Sequence, residues 1–136
     1  MAKIPKAQKT QKTAQLQSLQ IEPPVIFNKI IEGQDTRPRH ARVFGRNFNI
    51  VYSEFIGGDK LTLGLTHFSE CIVDILNGQH PLEERDTLLH EFIHVVDEVM
   101  KVGLSEKQVT ILAHGLAGIF QDNPKFAQYI IEKVDI

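Results

Sequence analysis

His90, Glu91 and His94 stand at HExxH spacing inside an apolar-periodic stretch from Pro81 to Met100, and this feature constrains the chain more than any other. Four residues make close to one helical turn, so on a helix both imidazoles leave the same face while Glu91 is rotated by about 100°. Two histidines so placed form a two-point clamp for one ion, with Glu91 in reach of a water beside it. The stretch carries the marks of a helix. Pro81 suits the first turn, Glu83, Glu84 and Asp86 put negative charge near the positive end, and Gly103 can close it. The polar row His90, His94 and Asp97 is flanked by apolar residues such as Leu89, Phe92, Ile93 and Val95, and polar groups walled by hydrocarbon need partners. With six histidines in 136 residues, random placement yields the three fixed residues at this spacing roughly one time in fifty. A metal site therefore outweighs two core histidines beside a surface glutamate.

The rest of the composition narrows the chemistry. Cys71 is alone, so an internal disulfide and a thiolate-only zinc site are both excluded, and any metal must be held mainly by histidine and carboxylate. Fifteen basic against 17 acidic residues give a net charge of −2, with no basic surface to track phosphates, so nucleic-acid binding is not expected. No apolar run reaches a membrane span of about 18 residues, and the first 20 residues lack the apolar core of a secretion signal. A cytoplasmic protein without membrane contact is the expectation.

Residues 1–24 read as a flexible polar arm, rich in Lys, Gln and Thr and ending at Pro23-Pro24, in which Leu16, Leu19 and Ile21 offer at most a weak docking segment. Residues 25–136 read as one domain. Val25, Ile26, Phe27, Ile30 and Ile31 have helical spacing up to Gly33. Phe48, Ile50 and Tyr52 alternate as in a strand, Val43 lies on the preceding arm, and Gly45 to Asn47 tolerate positive φ, so a tight hairpin fits. Leu61 to Leu76 supplies one or two more strands, ended by Asn77-Gly78. After the HExxH helix, Ser105 can cap a second helix running to Asp122, and Asn123-Pro124 starts a last one with Phe126, Tyr129, Ile130 and Val134 as its buried face. Strands first and helices after indicate α+β.

Spacing leaves the third ligand open between two residues. Two antiparallel helices joined near Lys101 to Leu104 bring the start of the second beside His94, which makes Glu106 and His114 both candidates. His114 follows His94 by 20 residues, a separation similar to that of the thermolysin-like gluzincins. Glu106 lies in the first turn of its helix and can angle back toward His94. Asp97 is placed to accept a hydrogen bond from the outer nitrogen of a ligand ring, against an i, i+4 ion pair with Lys101. His40, His67 and His80 fall in or near loops with no spacing for a second site. Tyr52 and Tyr129 are better suited to core packing than to an oxyanion role. Neutral imidazole suits zinc, and an ion with three protein ligands keeps a position for water whose pKa it lowers toward about 7. The expected activity is metal-assisted hydrolysis of a peptide bond with Glu91 as general base.

Leu88 to Asp97 as a block resembles the core of the small zincin-like metallopeptidases encoded by phages and prophages, which look like distant relatives of SprT-like and other compact HExxH proteases. The resemblance extends through Leu63-Gly64-Leu65, Glu84 to Thr87, Leu104-Ser105-Glu106, Leu112-Ala113 and Asp122-Asn123-Pro124, covering about Arg42 to Pro124. It implies a minimal zincin-like fold: a small antiparallel sheet, the HExxH helix, a packed helical hairpin and a C-terminal helix. It also implies a Zn2+ cofactor, and a protein or peptide substrate lying along a sheet edge formed by Cys71 to Leu76 or Leu61 to Thr66. The family pattern favours an acid as third ligand, which recommends Glu106; a histidine at His114 departs from it and leaves a three-histidine site open. A non-catalytic module of the same fold that binds a protein partner is the alternative.

Overall fold

The computed structural model describes residues 34–58 and 61–135. The polar arm of residues 1–24 and the helical spacing of residues 25–33 lie outside the described residues. Four strands, β1 (His40–Val43), β2 (Arg46–Ser53), β3 (Gly64–His67) and β4 (Ile72–Leu76), are followed by three helices, α1 (Pro81–Met100), α2 (Glu106–Asp122) and α3 (Pro124–Ile131). The class is α+β.

The strands form one sheet in the order β1-β2-β4-β3. The β1–β2 pair is a hairpin with Val43 opposite Arg46. Its two-residue turn is Phe44-Gly45, both at positive φ, as a type I′ turn requires. The turn thus sits one residue earlier than the Gly45 to Asn47 expectation, with Phe44 rather than Asn47 in the left-handed region. β3 and β4 are antiparallel, but β4 lies parallel to β2, pairing Ile50 with Val73 and Tyr52 with Ile75. The sheet is therefore mixed, not antiparallel throughout. β3 takes the outer edge, and β4, next in the chain, lies between it and β2.

Alternation puts Phe48, Ile50, Val73 and Ile75 on one face, where they bury against Val95 of α1 with Leu88, Phe92 and Val99 around them. Phe48 and Phe92 meet edge to face, ring centres 6.3 Å apart. One side of α1 is thereby committed to the sheet. His80 caps α1, its Nδ1 accepting from the Leu82 N–H at 3.3 Å. At the other end Lys101 takes the left-handed cap position at φ 55°, with Gly103 two residues on. Ser105 and Gln108 form a capping box that starts α2.

The expected burial of α3 is not observed. Ala127 is its one buried residue, whereas Phe126, Ile130, Tyr129 and Val134 are 49%, 55%, 78% and 81% exposed. Eight residues give α3 little more than two turns, and it meets α2 through the stacked pair Phe120–Phe126.

Arg37 ties the chain before β1 to the first turn of α1. Its guanidinium donates to Asp35, to Asn77 at 3.0 Å and to Glu84 at 3.2 Å, and lies 4.0 Å over the Tyr52 ring. Tyr52 donates to the Pro38 carbonyl at 3.0 Å, and burial, then the charge of Glu84, pushes its phenol up. Hydrogen bonds from the Arg37 side chain and backbone hold the Asp35 carboxyl well below the usual carboxylate range. Replacing Arg37 by Ala is expected to lower stability by about 1 kcal/mol, the scale of a partly exposed charged cluster. A carboxyl depressed by folding contributes stability that is complete above its unfolded value near pH 3.9 and fades as pH falls toward the folded one. Thermal midpoints of wild type and Asp35→Asn should therefore differ at pH 7 and draw together from about pH 4 downward; a constant gap removes Asp35 from the account.

Candidate metal centre

His90 and His94 project from α1 beside each other, their rings edge to face with centres 4.8 Å apart and their Nε2 atoms 3.1 Å apart. Glu106 meets both from the first turn of α2. Its Oε1 is 2.6 Å from His90 Nε2 and its Oε2 is 3.1 Å from His94 Nε2. Tetrahedral geometry at the usual zinc bond lengths of about 2.0–2.1 Å sets neighbouring ligand atoms about 3.3 Å apart; the two Nε2 atoms are near that spacing, while Glu106 meets each ring through a different oxygen, at 2.6 Å and 3.1 Å, so the three side chains converge on a space that could hold one ion. Among the described residues this is the one group of three metal-ligating side chains that converge.

Helix register explains why Glu106 and not His114 completes the group. Asp86, His90 and His94 form one i, i+4, i+8 row on α1, and Glu106, Thr110 and His114 form another on α2. The helices run antiparallel, so Glu106 lies beside His90 and His94 while His114, two turns or about 12 Å along, lies beside Asp86. His114 Nδ1 is 3.2 Å from Asp86 Oδ2, and the imidazole is largely exposed. The three-histidine site is not formed.

Asp97 does not reach a histidine ring. Its Oδ1 accepts the backbone N–H groups of Gly103 at 2.8 Å and Leu104 at 3.1 Å, closing the turn that delivers Glu106. Lys101 pairs instead with Glu98 at 2.6 Å, so the alternative ion pair is absent too. Asp97 bears on the centre through the path of the chain. A left-handed cap at Lys101 bends the backbone back over the end of α1, and the nearest free donors are then amides, not imidazoles.

Glu91 stands apart from the ligand group and is 6% exposed. It is turned toward β3, where the Thr66 hydroxyl donates to its Oε2 at 2.7 Å. These residues line a groove of about 640 Å³. Its floor is the α1 row with Glu91 and Thr87, one wall is β3 with the flanking Leu63 and Phe68, and the other is Glu106 and Thr110. Of the two strand segments proposed as the edge, Ile72–Leu76 is central and Gly64–His67 is the edge. Tyr52 and Tyr129 do not line the groove; Tyr52 is half-buried over Arg37, and Tyr129 is exposed rather than packed in a core. Sequence reasoning did not assign Thr66 a part. The available signal was the alternation Leu63-Gly64-Leu65-Thr66, which places a glycine and a hydroxyl on one strand face.

The chain matches no family model, no curated protein and no solved structure. No helix among the described residues is long and apolar enough to cross a membrane.

If the donor set is as placed, zinc added to metal-free protein should raise the thermal midpoint, and Glu106→Gln should weaken zinc binding by more than about a hundredfold, beyond the loss usual for an outer-shell partner. His114→Ala should leave the affinity within about twofold. Competition against a chromophoric chelator measures both, and equal losses in the two variants would dismiss Glu106 as the third ligand.

Proposed function

We propose that the protein is a zinc-dependent peptidase of compact zincin-like build with Glu91 as general base. One observation carries the reading: a His-His-Glu donor group, a buried glutamate outside that group and the free edge of a strand all open into one groove. Two imidazoles and a carboxylate form a donor set suited to zinc with one position left open. Zinc held there supplies polarisation of a peptide carbonyl and a lowered pKa for water.

The chain's own groups do the rest. The Leu76 N–H bonds the Leu63 carbonyl at 2.8 Å. With the β3–β4 register, that puts Leu63, Leu65 and His67 in the hydrogen-bonded pairs and turns the backbone groups of Gly64 and Thr66 to the open edge. An extended peptide adds there as a further strand and lies over the α1 row. Glu91 takes a proton from the water that attacks the carbonyl carbon and returns it to the departing amine as the C–N bond breaks. The fold order, sheet, HExxH helix, then a helix bringing an acidic ligand, supports the zincin-like reading and agrees with the resemblance of the sequence.

The second reading, a non-catalytic module of the same fold that holds a protein partner, is favoured by the exposed apolar residues Phe126, Tyr129 and Ile130 of α3. Cleavage of a peptide library by zinc-loaded protein, followed by mass spectrometry with and without chelator, separates the two. Wild type is expected to cleave, and Glu91→Gln to keep its zinc while losing about 10²–10⁴ of the rate. Undiminished cleavage by Glu91→Gln would falsify the assignment of the base, and zinc bound without any cleavage by wild type favours the binding module.

A further inference from the structure

Glu91 is an aimed side chain, and the atoms that aim it lie on β3. One side chain among the described residues donates to its carboxylate: the Thr66 hydroxyl, 2.7 Å from Oε2, with the Glu91 carbonyl a more distant acceptor at 3.4 Å. Oε1 has no protein donor among those residues. Gly64, two residues before Thr66 and on the same strand face, leaves the space the side chain occupies. A Cβ there would stand 2.9 Å from Glu91 Cγ, 3.1 Å from Oε1 and 2.9 Å from the methyl carbon of Thr87. No ordinary side-chain carbon comes so close, so alanine at this position displaces Glu91 or the strand.

We propose that Thr66 and Gly64 are positioning residues for Glu91. The Thr66 hydroxyl ties down one carboxylate oxygen and thereby leaves the other, Oε1, to receive the proton, while the missing side chain at Gly64 admits the carboxylate against the strand. The inference rests on the peptidase reading and deepens it by dividing the work between the two oxygens of the base. A carboxylate buried to this degree without a donor loses the hydrogen bond that offsets its desolvation and gains freedom to rotate, and both effects take it out of line with the reacting water. The Thr66 backbone lies on the edge where the peptide adds, but its hydroxyl touches neither substrate nor metal in this scheme. It acts through Glu91.

Thr66→Val keeps the shape of the side chain and removes the donor. It is expected to lower kcat by about tenfold or more, part of the 10²–10⁴ that a well-placed base supplies, with KM and zinc stoichiometry unchanged. Thr66→Ser, which restores a hydroxyl, should recover most of that loss. Gly64→Ala should also lower kcat without releasing zinc. A second measurement on metal-free protein needs no activity: the shift in denaturant midpoint caused by Thr66→Val in wild type should be clearly smaller on a Glu91→Ala background, where the hydroxyl keeps only the distant backbone acceptor. Equal midpoint shifts in the two backgrounds, or a Thr66→Val enzyme as fast as wild type, overturn the proposal. Failure of zinc-loaded wild type to cleave any peptide defeats the peptidase reading instead, and the midpoint cycle still accepts or rejects the Thr66 anchor on its own.

Discussion

Helix α1 carries its core-facing residues and the histidines of the candidate metal group on faces of one rigid rod, and the geometry of that group follows from this. Val95, the residue after His94, is fully buried against the sheet face of Phe48, Ile50, Val73 and Ile75. Successive residues on a helix are rotated by about 100°, so pressing Val95 into the sheet turns His94, and with it His90, toward the groove. Burying apolar side chains of this size contributes about 1.5–3 kcal/mol each. The histidine row is thus oriented by packing alone, which is the condition for a preorganised site.

The second half of the centre depends on a turn. Asp97 gathers the amides of Gly103 and Leu104, Lys101 takes the left-handed cap, and the Ser105–Gln108 capping box starts α2 so that Glu106 is its first residue. A different turn length would put another α2 residue opposite His94. The outcome is an asymmetric site. The Glu106 side chain is 68% exposed at the mouth of the groove, while Glu91 is enclosed on the strand side. The carboxylate on the α2 side is thus open to solvent, whereas the carboxylate on the strand side is shielded from it.

Much of this was legible one element at a time. The α1 span, the Ser105 cap and the break at Asn123-Pro124 each rest on chemistry within a few residues, and each lies where local rules put it. The hairpin turn was located to within a residue and missed by one, because Phe44 accepts a left-handed conformation that sequence rules assign to Gly or Asn. Asp97 and His114 show the other limit. Each has a plausible partner by spacing, yet Asp97 is taken by two amides of the turn and His114 by Asp86 of the facing helix, and neither the path of that turn nor the register between two helices is described by the periodicity of one helix. The apolar residues of α3 fit a buried face by pattern, but no described layer lies over them.

The sequence alone determined which residues share a helical face, because one turn of α-helix has fixed dimensions whatever surrounds it; His90, His94 and the offset of Glu91 follow from that. It also determined that any metal would have to be held mainly by histidine and carboxylate, since a single cysteine supplies no thiolate set. Tertiary structure decided the rest: which α2 residue faces the histidines, that β4 runs parallel beside β2 and leaves β3 at the edge, and that Thr66 and Gly64 lie under Glu91. Those relations join residues far apart in the chain, and the register between packed elements is set by the path of the connections and the fit of side chains, neither of which has a period that a sequence displays.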